Sequence, residues 1–482
     1  MPLLTGEELR EVISVKMLSG DASRWAKQRI RRLSLDSRAI RAGDLFIAIR
    51  GDKFDGHDYV AMALARGAVG AIVQDNFAVP SVLLKAGSKS SSSFILGVRD
   101  PLFAYQQLAT HHRSRFDIPL VAVTGSNGKT TTKEMVASVM GQRWRVLKTE
   151  SNFNNRIGVP HTLLRLTGRH EAAVIEMGVD NLGQTTRLCE IARPTIGIIT
   201  NIGPDHLEFF GSMEGSAQAK AELLDLLPPD GTAILNADDP YFDYLAARAQ
   251  CRVVSFGYSP KADVQALHEK SDGRDGTIFR LLLPGKVRHT IVRIKVQGSH
   301  NVTNALAAAA VGTVLGVSGA VIAQGLSRFR PAAMRSQIVV SHGIRVINDC
   351  YNANPASMKA AVQLLAQSGA GRRTIAVLGD MLELGSGAMR MHEEVGAFVA
   401  LQGISQLIAC GTLGRGLAEG ARRAGMEPMN ILELPDATAA AAEVKVMAVS
   451  GDVVLVKASR GMKMEQVVGA LQGVKRVSKK AS

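Results

Sequence analysis

A short glycine-containing segment, Val123–Met135 (V-T-G-S-N-G-K-T-T-T-K-E-M), has the residue types of a phosphate-binding loop. The usual P-loop has a further glycine five positions before the G-K-T glycine, where this chain has Val123. An apolar run precedes the segment and residues 133–140 indicate a helix, so the loop joins a strand to a helix and its N–H groups can bind an anion. The candidate nucleotide contacts are Thr124, Gly125, Ser126, Asn127, Gly128, Lys129, Thr130 and Thr131.

Each part of this segment has a chemical role. Gly125 and Gly128 permit close backbone approach, and Lys129 can reach the outer phosphates. The hydroxyl of Thr130 or Thr131 can ligate Mg²⁺. The alternative interpretation is a Gly–Asn turn that opens an ordinary helix.

Two further residues are candidate ligands of a second divalent cation. Glu176 ends the predicted strand A-A-V-I-E, and His206 lies in the segment I-G-I-I-T-N-I-G-P-D-H-L-E, which ends another strand. A carboxylate and an imidazole near a phosphate loop suit a cation beside the one on Thr130. A strand-end charge and an ordinary loop histidine are the alternatives.

Polar residues on predicted helices form a second group of candidates. Lys220 lies among alanines (S-A-Q-A-K-A-E-L-L), whose small side chains would let the helix approach the active site, although a solvent-facing lysine is the ordinary alternative. Asn301 and Asn304 lie three residues apart on one helix face, where their amides could bind a base edge or merely cap the helix. The segment Asn348–Met358 (N-D-C-Y-N-A-N-P-A-S-M) is dense in polar groups, which favours a binding role.

The elements that must position these residues are those of an α/β protein. Buried strands alternate with helices after the phosphate loop, and a second strand series follows residue 331, which is typical of mainly parallel sheets that bind ligands at their strand ends. We predict three domains, at residues 1–118, 119–331 and 332–482: an N-terminal α/β domain, a central P-loop ATPase-like domain and a C-terminal Rossmann-like domain. The uncharged stretch from Ala305 to Leu326 fits two packed helices better than a membrane span.

Composition narrows the functional classes. The chain has 482 residues, of which 46% are apolar, enough for two or three cores. Its four widely spaced cysteines favour reduced thiols and a cytosolic location, and its N-terminus lacks a signal-peptide pattern. The net charge is +14, with a basic run over residues 24–38 that indicates a solvated face or an anionic ligand. Aromatic residues make up only 5%, which argues against nucleic-acid binding.

The ordered combination of motifs resembles one enzyme family. The shortened G-S-N-G-K-T-T, the strand end E-M-G, H-L-E followed by A-K, H-N-V-T-N-A and Arg335 resemble the Mur ligases, ATP-dependent amide-forming enzymes of peptidoglycan synthesis. The segments D-C-Y-N-A-N-P-A-S-M-K, L-G-D-M-L-E-L-G and K-A-S-R-G-M-K-M-E resemble the branch that joins D-alanyl-D-alanine to a UDP-N-acetylmuramoyl-tripeptide. The match runs from Ser34 to Glu465.

This resemblance implies a role for each domain. The first would bind the UDP-sugar, the central domain ATP, and the third the incoming amine, in a cytoplasmic enzyme that we expect to be monomeric and to use small-molecule substrates. It implies two Mg²⁺ ions and a carbamylated lysine at Lys220. The implied metal ligands are Thr130, Glu176, His206 and Lys220. The implied catalytic residues are Lys129, His206, Lys220 and Arg335. The remaining implied contacts are Asn301, Asn304, Arg335 and Asp349 for ATP, and Ser37, Arg38, Asp55, His57, Tyr351, Asn352 and Asn354 for the other substrates.

Two positions depart from the family pattern. After E-M-G the chain has Gly183–Gln184, where the family usually has Gly-Glu, and P-A-A-M-R replaces the more usual Gly-Arg before the motif arginine. The implied reaction is conversion of the tripeptide carboxylate into an acyl phosphate, which the dipeptide amine then attacks. The rival predictions are the sister ligase that adds the third residue and, in a different class, a P-loop switch protein. The third residue of the tripeptide, lysine or diaminopimelate, stays open.

Overall fold

The structure is a computed structural model that describes residues 3–51, 54–81, 93–273 and 275–473. The chain forms two compact units. The first comprises the described residues of Met1–Leu120, Leu147–Ile175 and Thr186–Pro194, and the second those of Val121–Val146, Glu176–Thr185 and Thr195–Ser482.

The first unit is built on a five-stranded sheet. Its strands, in spatial order, are Lys16–Ser19, Phe94–Val98, Gly70–Gln74, Asp44–Ile47 and Arg32–Ser34. The pair at the first edge is antiparallel and the other pairs are parallel. Leu4–Thr5 and Arg29–Ile30 form a separate antiparallel pair.

Local sequence explains where the helices of this unit begin. Thr5 caps the first helix through a reciprocal pair of bonds with Glu8, and Asp100 caps the longest, which starts at Pro101. The α-helices assigned wholly or mainly to this unit are Gly6–Val12, Ala22–Trp25, Val60–Ala65, Pro101–Ser114, Gly158–Leu163 and Gln184–Ala192. Short 3₁₀ turns cover Ser37–Ala39 and Gly56–Tyr59, and strands Val146–Lys148 and Ala172–Glu176 belong mainly to the same unit.

The second unit contains a mixed sheet beside the phosphate loop. Seven of its strands run in the order Thr290–Ile294, Thr277–Leu282, Val264–Ser271, Arg252–Gly257, Thr232–Asn236, Ile196–Ile199 and Leu120–Thr124. From Val264–Ser271 to Leu120–Thr124 the pairs are parallel, and the two at the other edge are antiparallel. The accompanying helices are Lys129–Met140, Leu207–Phe210, Met213–Asp225, Phe242–Arg248, Ser299–Val314 and Gly319–Arg328.

The C-terminal part of this unit has a six-stranded sheet covered on both faces. Its strands, in spatial order, are Gln337–Ser341, Ile344–Asn348, Val453–Lys457, Thr374–Gly379, Gln406–Cys410 and Ile431–Leu434, and only the first pair is antiparallel. Ile375 and Val377 pack in one hydrophobic cluster and Ala376 and Leu378 in the other, as strand alternation requires. The covering α-helices are Pro355–Ser368, Ala388–Leu401, Gly414–Arg423, Ala437–Met447 and Glu465–Gln472, and 3₁₀ turns cover Gly385–Gly387, Pro428–Asn430 and Arg460–Met462.

The α/β fold class with mainly parallel sheets is confirmed, with small differences in element bounds. The helix after the phosphate loop begins at Lys129, four residues before the predicted start, because Gly128 in the left-handed region ends the turn directly before it. The stretch from Ala305 to Leu326 spans most of the largely buried helix Ser299–Val314, a short connection and most of helix Gly319–Arg328, which buries Ile322, Gly325 and Leu326. Throughout the described ranges, helices long and apolar enough for a membrane span are absent. All four cysteines are free thiols.

Candidate functional site

The phosphate loop depends on two glycines with positive φ. Gly125 has φ +130°, and a Cβ there would lie 2.0 Å from the Thr200 hydroxyl. Gly128 has φ +80°, and a Cβ there would lie 2.3 Å from Oδ1 of Asn304. Only glycine fits such positions without strain. The loop is therefore packed against two neighbouring segments, at Thr200 and at Asn304.

Polar side chains fix the shape of this loop. The Ser126 hydroxyl donates to Asp205 (2.6 Å), and the backbone carbonyl of Asn127 accepts bonds from the side chains of Thr200 and Asn201. Thr124 donates to the carbonyl of Met177 (3.0 Å). Side chains and carbonyl groups of the protein itself therefore hold the loop in this conformation.

Lys129 lies at the first position of the helix, with its ammonium folded over the loop. Its Nζ donates to the carbonyls of Gly125 (2.6 Å) and Ser126 (3.2 Å). Burial lowers the pKa of Lys129, against the opposing effects of the nearby Asp205 and Glu176. A phosphate could replace these two carbonyls as the partner of the ammonium.

Thr130 and Glu176 form a pair of hard oxygen donors at the start of this helix. The Thr130 hydroxyl donates to Glu176 Oε1 (3.0 Å), and both residues are buried. Lys133, one helical turn further on and also buried, lies 3.5 Å from Glu176 Oε2. Oxygen ligands of this kind are the ones that Mg²⁺ takes in phosphate-binding sites. Thr131 is half-buried on the same turn.

Lys220 is buried inside the second unit, so the solvent-facing alternative is wrong. Its side chain is 1% exposed, and its Nζ donates to Ser216 (2.7 Å) and to Asp205 Oδ1 (3.0 Å). Its helix, Met213–Asp225, buries small residues on both sides of it, Ala219 and Ala221. Burial lowers the pKa of Lys220 to about 8, against the opposing effect of Asp205. More of this amine is therefore neutral near pH 7 than in an exposed lysine.

Asp205 is an acidic residue of the site that sequence reasoning missed. One carboxylate oxygen accepts bonds from Ser126, Ser216 and Lys220, whereas the buried Oδ2 has no hydrogen-bond partner. Although burial acts in the opposite direction, Lys220 and Lys129 hold the pKa of Asp205 below its usual value. Its position directly before His206 in P-D-H-L-E was the available signal.

His206 lies in a left-handed backbone conformation, with φ +50°, before the short helix Leu207–Phe210. Its Nδ1 lies 2.5 Å from Oε2 of Glu383, a residue of the D-M-L-E-L-G segment. Its ring meets Phe210 edge-on, and the Lys220 ammonium lies 4.6 Å from the centre of that same ring. Phe210 therefore contacts two of the four predicted metal ligands, His206 and Lys220.

The two asparagines of H-N-V-T-N-A lie on the buried face of helix Ser299–Val314. Asn304 accepts a bond from Thr132 and lies against Gly128, while Asn301 contacts the ring of His300 (3.1 Å). Burial lowers the pKa of His300. The structure thus brings this helix to the phosphate loop.

Arg335 lies with its guanidinium 4.1 Å from the centre of the Tyr351 ring. Its neighbours Met334 and Ser336 both have positive φ, which fixes the direction of this loop. Asp349 accepts bonds from the backbone of Ser336 and from the buried Lys457 (2.6 Å). Lys457 is the first residue of the motif K-A-S-R-G-M-K-M-E, and the sequence analysis did not assign it to the site.

The segment after Asp349 also reaches the phosphate loop. Asn352 accepts a bond from Lys457 through its carbonyl (2.8 Å). Asn354 caps helix Pro355–Ser368, and its Nδ2 donates to Oδ1 of Asn127 (2.9 Å). The side chain of Asn354 thus already has two partners, one of which belongs to the loop.

A separate cavity of about 890 Å³ lies in the first unit. His57 lines it and is held in place, because its Nδ1 contacts Asp55 (2.6 Å) and its Nε2 accepts a bond from the backbone of Gln74. Three exposed arginines also line it, none of them predicted from sequence: Arg50, Arg99 and Arg156. The lining therefore combines three guanidinium groups, of which Arg50 is paired with Asp55, with the carboxylate of Asp100 and one fixed imidazole.

The other predicted sugar-nucleotide residues do not line this cavity. Ser37 is buried with its hydroxyl 3.6 Å from the sulfur of Met62, and Arg38 forms an ion pair with Asp36 (2.9 Å). Asp55 supports His57 instead. Although burial acts to raise it, hydrogen bonds from His57 and Arg50 lower the pKa of Asp55 to about 2.

The donor set fits magnesium bound together with a ligand better than a preformed metal centre. Among the described ranges, no group of three or more His, Cys, Asp or Glu side chains could hold an ion. The Thr130–Glu176 pair supplies two hard oxygens beside the phosphate loop, and Mg²⁺ typically completes such a site with phosphate oxygens and water.

These features together define a ligase of the Mur family. Models of three Mur ligase domains match the chain: the Mur ligase family catalytic domain over residues 29–110, the Mur ligase middle domain over 123–312 and the Mur ligase glutamate ligase domain over 334–460. The chain belongs to the Mur ligase family.

Within this family, the chain is similar over most of its length to ligases that bear one particular name. A Bacillus subtilis protein named UDP-N-acetylmuramoyl-tripeptide–D-alanyl-D-alanine ligase is 38% identical over 441 residues, which cover 91% of this chain and 92% of the relative. A MurF crystal structure from Acinetobacter baumannii has a TM-score of 0.87 at 30% identity and covers 98% of this chain and 100% of that one. A Thermotoga maritima MurF ligase solved in complex with ADP has a TM-score of 0.79 at 26% identity, with 92% and 97% covered.

Proposed function

We propose that the protein joins D-alanyl-D-alanine to UDP-N-acetylmuramoyl-tripeptide with ATP, giving the pentapeptide precursor of peptidoglycan, ADP and phosphate. The observation that carries the proposal is the hydrogen bond from Asn354 to Asn127. It joins the C-terminal polar segment to the phosphate loop, so nucleotide and amine would meet in one site. The names of the similar proteins support the same reaction.

The proposed chemistry has two balanced steps. A carboxylate oxygen of the tripeptide attacks the γ-phosphorus of ATP, the bond to the β-phosphate oxygen breaks, and ADP leaves. The dipeptide amine then attacks the carbonyl carbon of the acyl phosphate, the carbon–oxygen bond breaks, and phosphate leaves as the nitrogen loses a proton. Activation is needed because a carboxylate by itself lacks a leaving group that an amine can displace.

The residues of the loop would carry most of the electrostatic work in the first step. Lys129 and Arg335 would neutralise charge on the transferring phosphoryl group, and the loop N–H groups would hold the β-phosphate. Asn301 and Asn304 would contact the adenine side and Asp349 the ribose. Two Mg²⁺ ions, held by Thr130, Glu176, His206 and a modified Lys220, would supply further positive charge there.

We further propose that Lys220 works as a carbamate, formed when its neutral amine condenses with carbon dioxide. The side chain is buried beside the small residues Ala219 and Ala221, and the Ser216 hydroxyl can donate to a carbamate oxygen as well as accept from an ammonium. A carbamate would supply the anionic, two-oxygen ligand that an ammonium cannot.

The substrate sites would follow the proposed domain bounds of 1–118, 119–331 and 332–482. The UDP-sugar would occupy the cavity at His57. The predicted residues Ser37, Arg38 and Asp55 would support the walls of this cavity without lining it. Tyr351, Asn352 and Asn354 would lie near the incoming dipeptide. We propose that the protein acts in the cytoplasm, where these water-soluble substrates would be available, and that it is a monomer.

Phosphate release tests this function directly. Purified protein should release phosphate from ATP only when both UDP-tripeptide and D-alanyl-D-alanine are present, and a UDP-pentapeptide should form in equal amount. Phosphate release without the dipeptide would favour a nucleotide switch. Release driven by a free diamino acid and a UDP-dipeptide, instead of these substrates, would favour the sister ligase.

A further inference from the structure

One carboxylate outside the predicted site contacts a predicted metal ligand. Glu383 lies in the loop of residues 380–384, between strand Thr374–Gly379 and the 3₁₀ turn Gly385–Gly387, and its Oε2 lies 2.5 Å from Nδ1 of His206. A backbone hydrogen bond accompanies this contact, because the Glu208 N–H donates to the Glu383 carbonyl (3.2 Å). Glu383 belongs to the motif L-G-D-M-L-E-L-G, and the sequence analysis assigned no role to this residue.

The loop that presents Glu383 is held in place on its own domain. The Met381 N–H donates to Nε2 of the fully buried His392 (2.9 Å), and the Leu382 N–H donates to the hydroxyl of Ser459 (2.9 Å). Asp380 accepts bonds from the backbone of Thr412 and Leu413. These hydrogen bonds fix the backbone of residues 380–382, directly before Glu383.

Both partners of the contact have unusual backbone conformations. His206 has φ +50° and Glu383 has φ +64°, in the left-handed region that side chains other than glycine rarely adopt. Glu383 is 48% exposed and His206 28%, so the pair could be an ordinary surface ion pair, of the kind that contributes little. An ordinary pair would not need strained backbone on both sides, and such strain concentrates at functional sites.

The contact determines which nitrogen of His206 can bind a metal. Because an ionised carboxylate only accepts hydrogen bonds, the contact favours the neutral tautomer with the proton on Nδ1 and the lone pair on Nε2. Carboxylates that orient metal-binding histidines in this way raise metal affinity in many sites.

We propose that Glu383 is a positioning residue for the second metal site: by binding Nδ1 of His206 it aims Nε2 at the metal and makes that site depend on docking of the C-terminal domain. The inference rests on the proposed function, in which His206 is a metal ligand. It implies that the site is complete only when the domain that brings the amine is in place.

Manganese binding tests this proposal without relying on catalysis. Electron paramagnetic resonance would count Mn²⁺ ions bound to the protein with a non-hydrolysable ATP analogue. The wild type should show two sites, and Glu383→Ala should weaken one of them about tenfold. Glu383→Gln should lose less, because its amide oxygen can still accept from Nδ1. Glu394→Gln, at an exposed carboxylate of the same domain, is the matched control.

A double-mutant cycle shows whether Glu383 acts through His206. In a His206→Asn background, Glu383→Ala should cause no further loss of Mn²⁺ affinity, and the unfolding temperature should be unchanged by Glu383→Ala alone. Unchanged Mn²⁺ affinity in Glu383→Ala, an equal loss in both backgrounds, or a single Mn²⁺ site in the wild type would each overturn the proposal. If the wild type ligates the dipeptide, any of these results rejects the role of Glu383 alone, whereas absence of ligation rejects the proposed function.

Discussion

At the scale of single residues, the candidate active site contains a buried pair of opposite charges, Lys220 and Asp205. Lys220 and Asp205 are both nearly inaccessible, and the lysine lies over the ring of Phe210. Buried charges are costly unless they are paired, so such an arrangement indicates function more strongly than either residue alone.

Lys220→Arg tests the carbamate role. Arginine keeps the positive charge and cannot form a stable carbamate, so ligation should fall by at least about a hundredfold while ATP binding survives. Wild-type protein exchanged with ¹³C-labelled bicarbonate should give a carbamate signal in ¹³C NMR that the variant lacks. A variant that ligates at the normal rate, or a wild type without the signal, would contradict the proposal.

Lys129→Ala tests the nucleotide site. The hydrogen bonds of this lysine go to two loop carbonyls and its side chain is not part of a hydrophobic core, so its loss should change the unfolding temperature little. Ligation should fall by about a hundredfold or more, because a donor to the transferring phosphoryl group is lost. Lys286→Ala, at an exposed loop position, is the control and should be fully active. Near-normal turnover by Lys129→Ala would show that the ATP site lies elsewhere.

At the scale of elements, the turn between strand Leu120–Thr124 and helix Lys129–Met140 brings the site together. Its glycines allow the loop to pack against Thr200 on one side and Asn304 on the other. The ends of neighbouring parallel strands place Glu176 and the segment leading to His206 near the same loop, as open α/β sheets generally do.

Gly128→Ala should disrupt this turn. The added methyl would meet Asn304 Oδ1 at 2.3 Å, in a backbone region that alanine disfavours by about 1–2 kcal/mol. We expect a lower unfolding free energy by at least that amount and weaker ATP binding, measured by denaturant unfolding and calorimetry. Gly168→Ala is the control, since its Cβ would have no neighbour within 4 Å and its φ is not positive. Equal effects of the two substitutions would refute the role of the turn.

At the scale of the whole molecule, positive charge dominates, although part of it is locally neutralised. The net charge is +14, and three arginines of the basic run over residues 24–38 form ion pairs: Arg24 with Asp21, Arg32 with Asp44, and Arg38 with Asp36. These three ion-paired arginines agree with the prediction that the basic run forms a solvated face. Among the cavity arginines Arg50 is likewise paired, with Asp55, so Arg99 and Arg156 are better placed to meet an anionic substrate.

Ionic strength should therefore affect the substrates differently. ATP and the UDP-tripeptide are anions, whereas D-alanyl-D-alanine is a zwitterion and serves as an internal control. Raising salt from about 0.05 M to about 0.5 M should increase the KM of the two anions about threefold and leave that of the dipeptide nearly unchanged. A uniform change in all three KM values in steady-state assays would show that long-range attraction plays no part.

The sequence by itself determined the fold class, the phosphate loop and the family, because strand and helix patterns and the ordered motifs are local properties of the chain. It named Thr130, Glu176, His206 and Lys220 as metal-ligand candidates without showing what surrounds them. Only the tertiary structure brought Asp205 to Lys220, Glu383 to His206 and Asn354 to Asn127. The last two contacts join residues 177 and 227 positions apart, and no local pattern encodes a distance that depends on how separate sheets pack.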